Sequence, residues 1–111
     1  MKIITSAKIP KPKRHYSPCI EHDGVLYISG QLPIDPKTAE LPNGIEAQTL
    51  QALKNMDLII TGGGSNRNQV LQVRIYIPDV EHWSKVNKIY ADFFADHRPA
   101  RYLQEICTTA A

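Results

Sequence analysis

Cysteine is scarce in this chain of 111 residues: only Cys19 and Cys107 occur. They are too few and too far apart for a zinc knuckle or a disulfide framework, and no C-x-x-C pair exists. Inert free thiols are the expectation. Histidine is also sparse, and His15, His22, His82 and His97 never fall at an H-x-x-x-H or H-E-x-x-H spacing. No helix face therefore offers two ligands to a metal, and no metal is expected. No apolar run approaches the roughly 18 to 20 residues of a membrane span, and the N-terminus lacks the basic, apolar, small-residue order of a secretory signal. These absences predict a cytoplasmic protein without membrane contact. An excess of one charge is missing too. Thirteen Lys and Arg against eleven Asp and Glu leave a formal charge of +2, which does not argue for a nucleic-acid partner.

What is present is the composition of one ordinary globular domain, 42% hydrophobic and 22% charged. One segment is locally basic and stiff: Lys8, Lys11, Lys13, Arg14 and His15, interleaved with Pro10 and Pro12. A solvated surface stretch is the first reading of it, with phosphate contact as the alternative.

Residues Tyr16 to Ile20 and Val25 to Ser29 are short apolar stretches joined by Glu21-His22-Asp23-Gly24, whose Asp-Gly pair supplies a hairpin turn. Pro33 and Pro36 then favour an extended loop running to about Asn43-Gly44. From Ile45 to about Ile60, Leu50, Leu53, Met56 and Ile60 recur at helical spacing, and Gly62-Gly63-Gly64 ends the helix. These glycines follow a helix and lack the Lys and hydroxyl residue of a P-loop, so they read as a C-cap. Val73, Ile75 and Ile77 alternate with Gln72, Arg74 and Tyr76, predicting a strand over Val70 to Ile77. Trp83, Val86, Tyr90 and Phe93 with Phe94 mark a second amphipathic helix, which His97-Arg98-Pro99 is expected to break. Tyr102 to Ile106 reads as one more strand. The order predicts an α+β fold, a mixed β-sheet with two helices on one face. The other sheet face has no covering element, and oligomerisation is the natural way to cover it.

Several pieces of this order carry a resemblance: Ser29-Gly30-Gln31-Leu32-Pro33 after a hairpin, Gln48-Thr49 and Asn55-Met56 on the first helix, Val86-Asn87-Lys88-Ile89-Tyr90 and Phe93-Phe94 on the second, and then Arg98-Pro99-Ala100-Arg101. Over about residues 14 to 102 the chain resembles the RidA/YjgF family, whose members are also known as L-PSP endoribonucleases or translation inhibitors. The resemblance implies a chorismate-mutase-like (YjgF/L-PSP) fold, assembled as a homotrimer with ligand sites in the clefts between subunits. It implies hydrolysis of reactive enamines and imines such as 2-aminoacrylate to 2-keto acids and ammonia, a 2-iminobutanoate/2-iminopropanoate deaminase activity that uses no cofactor or metal.

Carried over by position, the family's essential arginine falls on Arg101, whose planar guanidinium suits a substrate carboxylate. Tyr16 matches the tyrosine bordering the family's site. Ser29 and Gly30 match the segment whose main-chain groups meet the substrate nitrogen, and Asn87 matches an asparagine near the same cleft. The expected catalytic residues are thus Arg101, Tyr16 and Gly30, and the expected substrate contacts Ser29, Gly30, Asn87 and Arg101. Each has a plainer reading: an ion-pair partner for Arg101, a strand position for Tyr16, a turn glycine for Gly30, a polar helix position for Asn87.

Three functions stay open: the deaminase, a non-catalytic trimer that binds small carboxylates or regulates a partner, and RNA cleavage or translational inhibition. The last has only the basic stretch Lys8 to His15 in its favour, with no stacking platform. Beyond Ile106 the resemblance implies a loop and a last strand reading like I-E-I-E-A-I-A, with the glutamate that positions the hydrolytic water. The chain instead reads Cys107-Thr108-Thr109-Ala110-Ala111. Of the acidic residues only Glu105 is near in sequence, and it is not assigned that role. The expectation is one domain over 1–111, truncated or frameshifted after about residue 106. Codons such as ATT TGC ACT ACG GCT GC for this stretch, read from the third base, spell Leu-His-Tyr-Gly-Cys, and L-H-Y-G occurs at that place in many family members. Sequencing the gene past this point is expected to show an I-E-x-E-A-like coding segment in a second frame; its absence from every frame would refute the frameshift.

Overall fold

The computed structural model describes residues 1–106. The expectation about the stretch after Ile106 concerns Cys107–Ala111 and lies outside the described residues. The hairpin forms as the Asp-Gly pair predicts, with β2 (Cys19–His22) and β3 (Val25–Ile28) antiparallel and Cys19 opposite Ile28. Asp23 and Gly24 both have positive φ, 52° and 79°, the mirror-image turn that matches the strands' twist. The Glu21 carboxylate accepts from the Gly24 N–H at 3.0 Å and closes the turn. A two-residue strand that sequence reading missed, β1 (Lys2–Ile3), pairs antiparallel with the outer edge of β2. Two residues show no period, so pattern alone does not reveal it.

Helix α1 (Ile45–Gly62) ends in a cap of the expected kind. The Ser65 N–H reaches Ile60 O at 3.0 Å and the Gly64 N–H reaches Thr61 O at 3.1 Å, with Gly64 at φ 88°, the hydrogen-bond pair of a Schellman motif. After it come β4 (Gln72–Ile77), α2 (Trp83–Phe94) and β5 (Ala100–Glu105), with β4 and β5 parallel and Val73 opposite Arg101. A parallel pair needs a crossover, and α2 is that crossover. Helix α2 stops at Phe94, three residues before the expected His97-Arg98-Pro99 break. The last helical bond runs from Ala95 N–H to Ala91 O, and Ala95 turns to φ 53°, so a left-handed backbone step ends the helix before the proline acts.

The α+β class with two helices holds. Parallel and antiparallel pairing are both present, but they are divided between a three-stranded ladder, β1-β2-β3, and a two-stranded one, β4-β5. Each ladder has its own core. Ile9, Cys19 and Ile59 are buried over the hairpin with Ile4, Leu26 and Ile28 against them. Leu53, Tyr90, Phe93 and Phe94 form the second cluster, backed by Val73 and Ile75 of β4. Cys19 is fully buried, and burial pushes its thiol above the usual range, which keeps it an unreactive thiol. Arg67 ties the connection after α1 to both helices: it donates to Phe93 O at 2.9 Å, meets Asp57 Oδ2 at 3.0 Å, and lies 3.8 Å above the Phe93 ring. No helix among the described residues is long and apolar enough to cross a membrane.

The N-terminal segment packs close on the end of α1. A Cβ at Gly62 would stand 2.7 Å from Ile9 Cγ1, a core side chain with little freedom to move. Gly62→Ala is therefore expected to lower stability in urea unfolding by about 1 to 2 kcal/mol, overpacking outweighing the helix-propensity gain of up to about 1 kcal/mol.

Candidate functional site

Five residues were singled out for function, and the fold sorts them into two clefts. Tyr16, Ser29 and Gly30 line the first, an open cleft of about 660 Å³ between the hairpin's end, the N-terminal segment and α1. Ser29 follows β3 directly. Its N–H donates to Pro18 O at 3.0 Å and its hydroxyl to Ser17 O at 2.6 Å, so this side chain fastens the open end of the hairpin. Gly30 has no positive φ, and a Cβ there would meet nothing within 4 Å. Nothing within the described chain demands glycine at this position, which removes the turn-glycine reading. Tyr16 stands half exposed at the wall. Lys11, Lys13 and Arg14 line the same cleft, so the basic segment is a part of its rim.

The loop that continues from Gly30 is held by a residue whose role sequence reading missed. Asn55 on α1 is buried, and its Nδ2 donates to Leu32 O at 3.0 Å and Ile34 O at 2.8 Å, while its Oδ1 accepts from Gln51 Nε2 at 2.9 Å. A buried amide needs this full set of partners, and satisfying it fixes the loop. The available signal was a lone asparagine one residue from the apolar stripe of Leu53 and Met56.

Asn87 and Arg101 line the second cleft, of about 480 Å³, beside α2 and the start of β5. The two side chains meet: Arg101 Nη1 donates to Asn87 Oδ1 at 2.8 Å. The guanidinium carbon lies 4.5 Å from the centre of the Trp83 ring and 5.0 Å from that of Tyr90. Trp83, Asn87 and Tyr90 follow each other at i, i+4 and i+7, so one face of α2 presents ring, amide and ring to the arginine. Sequence reading assigned both aromatics to the core. Tyr90 is indeed buried, but its hydroxyl has no hydrogen-bond partner among the described residues. Burial holds its pKa above the ordinary phenol value, with the Arg101 charge opposing the shift. Glu105 is engaged elsewhere, its Oε2 accepting from the Val80 N–H at 3.1 Å.

The two clefts have no lining residue in common. One copy of the chain thus brings Tyr16 together with Ser29 and Gly30, and Arg101 together with Asn87, but does not join the two groups. No three His, Cys, Asp or Glu side chains cluster as a metal site among the described residues.

The family model described as Endoribonuclease L-PSP matches residues 6–109. The chain belongs to that family. Among L-PSP relatives, a RutC family protein of Pyrococcus horikoshii is 39% identical over 106 residues, spanning 95% of this chain and 84% of its own length. The mouse 2-iminobutanoate/2-iminopropanoate deaminase is 33% identical over 106 residues, 95% of this chain and 78% of its own. The fold agrees: the YjgF gene product of E. coli superposes with a TM-score of 0.91 at 28% identity, covering 98% of this chain and 88% of its own. The RidA/YjgF resemblance and the YjgF/L-PSP fold read from the sequence are thereby established.

The L-PSP cleft that contains Gly30 depends on Asn55 for its shape. Asn55→Ala is expected to cost about 1 to 3 kcal/mol in chemical denaturation, since two loop carbonyls lose their donor. Asn55→Asp is expected to cost more, because a carboxylate would replace the amide donor against those carbonyls.

Proposed function

We propose that the chain is a RidA-type deaminase, converting reactive enamines and imines such as 2-aminoacrylate to 2-keto acids and ammonia in a site shared between copies of a homotrimer. The observation that carries this reading is the Arg101–Asn87 pair at the wall of an open cleft. An exposed guanidinium with one nitrogen engaged is suited to clamp a carboxylate through two parallel bonds. All substrates of this class carry that carboxylate next to the reacting carbon. The kinship to the mouse deaminase supports the same reaction.

The chemistry asks little of the protein beyond placement. Protonation of the enamine's terminal carbon gives the imine, and water adds to the C=N carbon to form a carbinolamine. The C–N bond then breaks, nitrogen leaves as ammonia, and the hydroxyl oxygen becomes the keto oxygen as its proton is lost. Arg101 fixes the carboxylate through this sequence. Main-chain groups at Ser29 and Gly30, beside Tyr16, meet the nitrogen. Since these groups lie in the other cleft, the reading places them on a neighbouring copy. Exposed tyrosines on both ladders, Tyr27, Tyr76 and Tyr102, support a contact surface between copies. One observation favours the non-catalytic, carboxylate-binding reading: Glu105 turns its Oε2 to the Val80 N–H, and no acidic side chain of the described residues lines the Arg101 cleft.

Clearance of 2-aminoacrylate generated in situ separates the two readings. Wild type is expected to clear it faster than buffer, with Arg101→Ala slower by about 100-fold, the typical effect of deleting one electrostatic contact at a reacting centre. Co-expressed Tyr16→Ala and Arg101→Ala chains are expected to recover activity that neither has alone, because mixed trimers rebuild one intact site. Binding of 2-ketobutyrate without turnover would favour the binding protein, and a monomer in sedimentation would overturn the shared site.

A further inference from the structure

The arginine at the centre of the proposed site is exposed, yet it is surrounded on one side by groups of a single helix. Arg101 Nη1 is tied to Asn87 at 2.8 Å, and the guanidinium carbon faces Trp83 at 4.5 Å and Tyr90 at 5.0 Å. An arginine on a strand with no such support samples many rotamers and loses that freedom when it binds. Here two aromatic faces attract the cation, and the amide oxygen fixes which nitrogen is spent. Fixing Nη1 leaves the Nε and Nη2 pair as the edge that no side chain or main-chain group among the described residues engages. Tyr90 offers Arg101 its ring, and its buried hydroxyl has no hydrogen-bond partner among the described residues. Core packing alone would be served equally well by phenylalanine at 90 and by an aliphatic residue at 83. What an aliphatic residue cannot supply is a π face toward Arg101.

We infer that Trp83 and Tyr90 are positioning residues that hold the Arg101 guanidinium between α2 and solvent with its Nε/Nη2 edge presented to a ligand carboxylate. The role in ligand binding rests on the proposed function above, whereas the bracket itself does not. Trp83 is the sole tryptophan of the chain, so the same residue reports on the site.

Two measurements test the inference. The first needs no ligand: the Arg101 side-chain resonances in a ¹⁵N-labelled protein. Ring-current shifts at Arg101 Nε–H are expected in wild type, retained in Trp83→Phe and Tyr90→Phe, and reduced in Trp83→Leu; a shift unchanged in Trp83→Leu would overturn the bracket. The second is calorimetric titration with 2-ketobutyrate. Trp83→Leu is expected to weaken binding by about threefold to tenfold, the size of a cation–π contact, while Trp83→Phe stays within about twofold of wild type. Trp83 emission in wild type is expected to change saturably with the same Kd, and not to respond in Arg101→Ala. Equal affinity in wild type and a folded Trp83→Leu would refute a positioning role. A wild type that shows the ring-current shifts but binds no 2-ketobutyrate would refute the carboxylate reading and leave the bracket standing.

Discussion

The apolar face of α1 is shared between two cores, and the assembly of the described chain depends on that sharing. Leu53 enters the cluster formed with α2, while Ile59 enters the cluster over the hairpin. The ladders β1-β2-β3 and β4-β5 are not hydrogen-bonded to each other among the described residues. Their relative placement therefore falls to side-chain packing on this helix, with Arg67 adding a polar tie from Asp57 on α1 to Phe93 on α2. Close packing of this kind tolerates little change in volume, as the 2.7 Å approach at Gly62 illustrates.

The elements that were legible in the sequence are those whose local chemistry and burial agree. Asp23-Gly24 takes a positive-φ turn that matches the twist of its strands, and α1 follows its apolar period to a glycine cap. The parts that were not legible depend on partners distant in the chain. Strand β1 exists because β2 offers an edge, and no pattern in two residues announces it. The end of α2 was misplaced because a left-handed step at Ala95 acts before Pro99 does. Family order identified Asn87 and Arg101, which the fold brings into contact. It could not show that Trp83 and Tyr90 flank the arginine, since an aromatic on an apolar helix face reads as core whether or not a cation sits against it.

The division of the candidate residues between two clefts connects fold to chemistry. Each cleft has its own anchoring device: Asn55 and Ser29 on one side, the ring-amide-ring face of α2 on the other. Both devices spend fixed hydrogen bonds or π faces in advance, so neither half needs the other in order to be shaped. In the proposed site between identical copies, preorganisation within each half would leave only the encounter of the two halves to be made.

Asn55 grips the loop by its main chain. The carbonyl groups of Leu32 and Ile34 are held, while their side chains, 69% and 41% exposed, line the cleft without packing into either core. Sequence at these two positions is thereby uncoupled from the integrity of the loop. The wall of the cleft can be made larger, smaller or more polar by substitution alone, with the backbone path held by a residue that hydrogen-bonds only the main chain there. Divergence in ligand preference among proteins built this way would need no change of fold, only new side chains on a loop whose course is already secured.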